Sequence, residues 1–357
     1  VNIRVLSVGP HWQGGTSLER VHALELLGAE VVPFDMTPFH SRGNRLVQSL
    51  HSRLLSGPNI AALNHAIVAA AREQGPFDLI WFEKATWVWP ETIERVRSHG
   101  RFLVHFTPDP GFLFHGSRHF LKSVPIYDLC ITNKRYELEH YRNFGSKKTI
   151  LVPQGAGSRF EHSIGNMPTV DPVSDIVFVG HCERHYMRSL KPLVAGGLSV
   201  RIVGPGWRKK CGRDRELGPA VKGDGAFDTA YVDELQKAHI GLGLLSKLAP
   251  DQFTTRSFEI PAAGRLLLAE RTPDHQLLFE EGVEAEFYGD PEEMVAKARM
   301  FLADPDRART IAAAGQRRVR ENYQWHHVLA PAFDALGLPV PAGARAARPN
   351  PLEAIAA

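Results

Sequence analysis

The chain has 357 residues, of which 43% are hydrophobic and 23% charged, a balance that suits a globular protein with two domains, each burying its own core. A formal net charge of +3 gives no reason to expect nucleic acid or a membrane surface as a partner. The three cysteines, Cys130, Cys182 and Cys211, are widely spaced, which argues against a disulfide framework or a zinc knuckle and for free thiols in a reducing compartment. No apolar run reaches the roughly 20 residues of a membrane-spanning helix, and the first residues read as a buried strand, so the expected location is cytoplasmic.

In chain order, short apolar runs alternate with amphipathic stretches. Strand 3–8 precedes helix 17–27, closed by Gly28, then strand 30–34, helix 60–73 and strand 79–82. Helix 90–98, closed by Gly100, leads to strand 102–106; strand 129–132, helix 135–144 and strand 148–152 complete the series. Residues 155–172, rich in Gly, Ser, Asn and Pro, read as an interdomain linker. The pattern then restarts: strand 175–179, helix 184–195, strand 199–203, helix 229–238, strand 240–244, helix 254–263, strands 265–269 and 285–288, and helices 292–302 and 306–321. The expected fold is α/β: two Rossmann-like domains, 1–168 and 172–325, facing each other across a cleft, with ligands at the carboxyl ends of the strands. The apolar residues of 323–337, among them Tyr323, Trp325, Val328, Leu329 and Phe333, are expected to return to the first domain. The Ala/Pro/Arg-rich tail 339–357 is expected to be disordered.

Three stretches carry candidate chemistry. Gly180 closes a strand just before a helix, and Gly204-Pro205-Gly206-Trp207 follows the next strand; between His181 and Arg213 lie eight Lys/Arg and one acidic residue. Glycine-rich strand ends beside positive charge suit a diphosphate, with Arg188 as one contact, whereas Lys209, Lys210 and Arg213 read as a solvated charged face. In the second stretch, Thr254 and Thr255 cap a helix containing Arg256 and Glu259. Glu259 sits among apolar neighbours and requires a partner: either the vicinal hydroxyls of a ribose or a cation such as Arg256. In the first half, His11, Gly14 and Gly15 lie in the loop after the first strand, and His105 and Asp109 near the end of the strand at 102–106. His105 faces either core or cleft; Asp109, between two prolines, either shapes a turn or contacts a sugar or acceptor.

The run Thr255-Arg256-Ser257-Phe258-Glu259-Ile260, with Ala263-Gly264, Phe279-Glu280-Glu281-Gly282, Asp290-Pro291-Glu292-Glu293-Met294 and Ala314-Gly315-Gln316-Arg317-Arg318-Val319, resembles the CgeB-like spore-maturation glycosyltransferases, as do Arg188 and Gly204–Trp207. The likeness covers about 174–327; Phe77–Ile80, Glu83-Lys84 and Thr107–Pro110 extend it more loosely into the first half. That family is similar to the retaining GT-B enzymes, which carry two acidic residues eight positions apart; here these positions hold Asp251, shorter than the usual glutamate, and Glu259, while His181 stands where an arginine is common.

The resemblance implies a glycosyltransferase, hexosyl transfer included, working with retention and without a metal or other cofactor. Its donor would be a nucleoside-diphosphate sugar such as a UDP-sugar, with the base near Pro205–Trp207, the ribose on Glu259, and the diphosphate against Arg188, Arg256 and the Thr254–Thr255 amides. Asp109, His105 and Asp251 are the implied catalytic residues, and His11, Gly14 and Gly15 the acceptor contacts. The acceptor itself, whether saccharide, protein or small molecule, and the oligomeric state are not disclosed. A nucleotide-sugar epimerase of the same fold, or a non-catalytic nucleotide- or carbohydrate-binding protein, is the alternative.

Overall fold

A computed structural model describes residues 3–40, 54–114 and 116–353. The chain divides into two compact units, one holding Val1–Pro153 and Trp325–Ala346, the other Gln154–Gln324 and Ala347–Pro351.

The first unit contains β1 (Ile3–Gly9), α1 (Thr16–Leu26), β2 (Ala29–Asp35), α2 (Thr37–His40), α3 (Pro58–Gln74), β3 (Phe77–Glu83), α4 (Pro90–Val96), β4 (Gly100–Thr107), α5 (Arg118–Ser123), β5 (Leu129–Thr132), α6 (Leu138–Asn143) and β6 (Thr149–Leu151). The six strands run parallel in the order β2-β1-β3-β4-β5-β6. Strands β1, β3 and β5 are apolar almost throughout, as a sheet covered on both faces requires. The order reverses between β1 and β3, the switch point of a flavodoxin-like sheet.

The second unit contains β7 (Ser174–Val179), α7 (Arg184–Ala195), β8 (Val200–Val203), α8 (Trp207–Cys211), β9 (Val221–Gly223), α9 (Thr229–Gln236), β10 (Ala238–Gly243), α10 (Arg256–Ala262), β11 (Leu266–Glu270), α11 (Pro273–Leu278), β12 (Glu286–Tyr288), α12 (Pro291–Ala303) and α13 (Pro305–Asn322). Its parallel sheet has the order β9-β8-β7-β10-β11-β12, the 3-2-1-4-5-6 arrangement of dinucleotide-binding domains, with the switch point between β7 and β10. Three helices open with one local device, a capping side chain followed by proline. Thr272, Asp290 and Asp304 accept from the third backbone N–H beyond them, while Pro273, Pro291 and Pro305 occupy the first helical position, where no donor is needed.

Helix α14 (Trp325–Ala335) belongs to the first unit, where Trp325, Val328, Leu329 and Phe333 join the core formed by Val5, Leu79, Val104 and Ile131. Tyr323, expected to accompany that helix, instead packs in the second unit against Phe258 and Phe279 and donates its hydroxyl to the Leu278 carbonyl at 2.9 Å.

Two further expectations are corrected. Residues 155–172, read as a linker, include a short 3-10 turn at Ser158–Phe160 that buries Phe160 in the second unit; Ser163 donates to the Ala262 carbonyl, and Gln316 donates to the Ser163 carbonyl. Their glycines and polar residues signal irregular backbone, but one aromatic ring anchors it. The tail is likewise not disordered over its described part. Ala342–Ala344 forms a 3-10 turn, Ala344 joins the first unit's core, and Arg345 grips Asp334 through two hydrogen bonds at 2.8 and 2.9 Å. Residues 354–357 lie outside the described residues.

Candidate functional site

At the second unit's switch point, β7 ends at Val179 and the chain passes through Gly180 into α7, while β10 ends at Gly243 and leads through Leu244 to α10. Arg256, the first residue of α10, reaches back over this point. One guanidinium nitrogen donates to the Leu244 carbonyl at 2.9 Å, and another would lie 3.0 Å from a Cβ placed on Gly180. The guanidinium also lies over the rings of Phe178 and Tyr186, at 5.1 and 5.9 Å from their centroids. Glycine at position 180 therefore has a packing reason, since a side chain there would crowd the cation. Arg256 Nε and the neighbouring Thr254 Oγ1 are buried without a hydrogen-bond partner among the described residues. Orphaned buried donors are uncommon in native proteins and mark places where a further acceptor fits.

Around this cation the loop ends are tied by side chains that the sequence did not single out. Glu183 accepts from His181 at 2.8 Å and from the Ser246 hydroxyl at 2.9 Å, linking the loops after β7 and β10. Glu270, at the end of β11, accepts from the Leu245 backbone N–H and pairs with Lys247. Asp251 is half-buried and lies within electrostatic reach of the Tyr186 hydroxyl.

Glu259 is 4% exposed, and its Oε2 accepts from the Tyr231 hydroxyl of α9 at 2.7 Å. A tyrosine on another helix, which the sequence did not suggest, thus supplies this hydrogen bond, while one Arg256 nitrogen is engaged by the Leu244 carbonyl. The Arg159 guanidinium lies 5.5 Å from the Tyr231 ring, so Glu259 sits beside two positive groups and a phenol.

The glycine-rich turn after β8 differs from its expected role. Gly204 has φ +151, and a Cβ there would come within 1.9 Å of the Gly180 carbonyl oxygen, so this glycine permits two backbones to touch. Trp207 is wholly buried and donates its indole N–H to the same carbonyl at 2.8 Å; it is a core residue and not a platform for a base. Its ring finds an apolar cavity among Phe178, Leu190 and Leu217, which outweighs display at the surface. Pro205 is exposed, and its carbonyl accepts from the Cys182 N–H at 3.0 Å. Arg188 is exposed on α7. Lys191 pairs with Asp214 and Glu216, Arg208 pairs with Asp224, and Lys210 donates to the Cys182 carbonyl, so much of the local positive charge is already engaged. Cys182 and Cys211 are buried free thiols, and burial raises the pKa of both, that of Cys211 to about 11.

The strand ends of the first unit are filled by the chain itself. His11 is buried: its Nε2–H donates to the Ser7 carbonyl at 2.9 Å, its Nδ1 accepts from the Ser17 hydroxyl at 2.7 Å, and burial lowers its pKa. It therefore serves as a neutral spacer inside the loop and not as an acceptor contact. Gly14 takes φ +84 in the turn from Trp12 to Gly15, and a Cβ on Gly15 would strike the Trp12 indole, so both glycines serve the turn. His105 is 1% exposed between the rings of Phe120 and Tyr127, at centroid distances of 5.0 and 5.1 Å. That is a core environment: both faces of β4 are covered at its carboxyl end, so the ring packs among aromatic side chains and is not displayed as a catalytic group. Asp109 is partly exposed and forms an ion pair of 2.7 Å with Lys84, a non-glycine residue held at φ +50. An ion pair between Arg20 and Glu83, both about 1% exposed, also escaped the sequence reading: the arginine Nε donates at 2.9 Å and its guanidinium lies over Phe106 and Trp325. The only signal was a charged residue at the end of an apolar strand.

Among the described residues no group of three or more His, Cys, Asp or Glu side chains could hold a metal, and no helix is long and apolar enough to cross a membrane. Comparison with solved structures settles the fold. The fold is the GT-B fold. The Anabaena protein HepE, solved with UDP and glucose, superposes with a TM-score of 0.61 at 14% identity over 94% of this chain and 100% of its own. Sucrose-phosphate synthase from Thermosynechococcus elongatus gives 0.63 at 14% identity over 94% and 98% of the two chains. An alpha-glucosyltransferase solved with UDP-glucose and DNA containing an abasic site gives 0.68 at 12% identity over 94% and 100%. Residues 184–334 match a family model described as glycosyl transferase-like, a span that includes Arg256 and Glu259. No curated protein sequence matches the chain.

Proposed function

We propose that this GT-B protein is a glycosyltransferase that takes its sugar from a nucleoside-diphosphate donor, with a UDP-hexose as the leading candidate. The observation that carries this reading is Arg256 at the switch point of a 3-2-1-4-5-6 sheet, resting against Gly180, with its Nε and the Thr254 hydroxyl unspent. The glycosyl transferase-like match over 184–334 supports it, as do similar folds solved with UDP or UDP-glucose. In this reading Arg256 and Thr254 face the diphosphate, and Thr255, Gly180 and Gly204 bring backbone close to it. Arg188 lies at the rim and Glu259 takes the ribose hydroxyls. The cation stabilises negative charge on the departing diphosphate, a task that calls on no metal or other cofactor.

Retention is proposed because the similar folds include proteins named alpha-glucosyltransferase, solved with UDP or UDP-glucose. The eight-residue spacing of Asp251 and Glu259 in a CgeB-like setting points the same way. The acceptor is proposed to meet the first unit near Asp109, inside the cytoplasm.

Calorimetric titration of the full chain with UDP and a panel of UDP-sugars tests the donor. Binding of UDP, lost in Glu259→Ala by about 1.5–3 kcal/mol, is the expected result. Folded protein that binds no nucleotide would reject the reading. UDP binding without release of UDP from any UDP-sugar would favour a non-catalytic module, and conversion of the sugar without an acceptor would favour an epimerase.

A further inference from the structure

We infer that Ser257 and His275 form a positioning relay that sets the turn bearing Arg256, and through it the protein's grip on the donor diphosphate; the inference rests on the nucleotide-binding reading above. The relay has only one possible hydrogen-bond direction. His275 Nδ1 lies 2.7 Å from the Glu270 carbonyl oxygen, which can only accept, so Nδ1 carries the proton. Nε2 is then bare, and at 2.8 Å it accepts the Ser257 hydroxyl. The Ser257 oxygen in turn accepts the Thr254 backbone N–H at 3.2 Å. The resulting chain runs Thr254 N–H to Ser257 O–H to His275 and on to the Glu270 carbonyl.

A second tie reaches the same turn from the same helix. Thr272 accepts the His275 backbone N–H at 3.0 Å and donates its hydroxyl to the Gln252 carbonyl at 2.6 Å. Residues 252 and 254 are thus both held by the first turn of α11, and Arg256 follows directly. Ser257 and His275 are each 0% exposed, so water does not compete for these bonds. The imidazole stacks on Phe287 with an interplanar angle of 11° and a centroid distance of 5.2 Å, which fixes its plane. Burial holds the His275 pKa down at about 4, so the ring stays neutral and Nε2 remains an acceptor at ordinary pH. Their hydrogen bonds run to the Thr254 N–H and the Glu270 carbonyl, so they act on Arg256 through the backbone that carries it.

The test uses three variants of the full chain, each assayed for UDP affinity by calorimetry and for thermal unfolding. His275→Gln places an amide oxygen near the Nε2 position and keeps an acceptor for Ser257. His275→Asn keeps a donor toward Glu270 but offers Ser257 nothing, and Ser257→Ala removes the link altogether. Ser257→Ala and His275→Asn are expected to raise the UDP dissociation constant about tenfold, with His275→Gln within about threefold of the parent, although both histidine variants lose similar thermal stability. In an Arg256→Lys background, Ser257→Ala should add no further loss of affinity. UDP affinity that follows the melting temperature across the three variants, or additive losses in the Arg256→Lys background, would overturn the relay. A parent protein that binds no UDP would overturn the nucleotide reading itself, and the relay with it.

Discussion

The two sheets have the same number of strands and a switch point each, yet their carboxyl ends are furnished in opposite ways. At the first, between β1 and β3, the chain fills the crevice with its own groups: His11 is bonded at both ring nitrogens, and Arg20 is clamped to Glu83. At the second, between β7 and β10, the cation lies on glycine and aromatic rings and retains an unpartnered nitrogen. A buried arginine paired to a carboxylate has satisfied its charge within the fold, whereas one resting on rings and a carbonyl still has its full charge to offer an anion. An arginine beside each switch point is therefore tied within the fold in one unit and, in the nucleotide-binding reading, offered to a ligand in the other.

The largest expected effect breaks the first of these arrangements. Arg20→Ala leaves Glu83 buried without its cation and should cost about 3–5 kcal/mol in urea unfolding, whereas Arg20→Met with Glu83→Leu should recover most of it. A loss within 1 kcal/mol for Arg20→Ala would mean that the pair is far better solvated than its burial implies.

Arg256→Lys should do the reverse. It should leave the melting temperature within a few degrees of the parent yet weaken UDP by about 10- to 100-fold, because an ammonium cannot reproduce the planar fork against Gly180 and Leu244. Unchanged UDP affinity in the lysine variant would remove the contrast between the two switch points.

A third test concerns pH. Because His275 has a folded pKa of about 4 against an ordinary 6.5, the unfolded chain takes up the proton first as pH falls. The full contribution is present above pH 6.5 and is lost toward pH 4, amounting to about 2 kcal/mol between pH 7 and pH 5. His275→Gln should flatten the stability–pH curve by about that amount, measured as the difference in urea midpoints at the two pH values; an unaltered slope would show that the ring is not held neutral.

The smallest effect belongs to Lys84, whose φ of +50 costs energy that glycine would not incur. Lys84→Gly loses a partly exposed ion pair with Asp109, worth under about 1 kcal/mol, and gains a comparable amount by relief of backbone strain. Its melting temperature should therefore stay close to that of the parent, and a fall of many degrees would show that the pair holds the strand ends together.

Which parts of this were legible in the sequence depended on range. The alternation of apolar strands and amphipathic helices identified the α/β class and both sheets, because a strand buried on two faces must be apolar along its length. Glu259 stood out as a carboxylate among apolar neighbours that must have a partner, but that partner, Tyr231, lies 28 positions away on another helix. His105 and Trp207 read from the sequence as residues near strand ends, and the fold buries both; no neighbouring residue in the chain announces whether a side chain at a strand end is covered.

What the sequence determined by itself was local: periodicity, the caps at Thr272, Asp290 and Asp304, the prolines after them, and the glycine turn at Gly14 all act within a few residues. Tertiary structure alone decided which charges meet. It joined Arg20 to Glu83 across 63 positions, Ser257 to His275 across 18, and laid Arg256 over Gly180. The physical reason is that a parallel sheet gathers strand ends distant in the chain along one edge, and the partners at that edge are chosen by geometry and desolvation, which no short stretch of sequence contains.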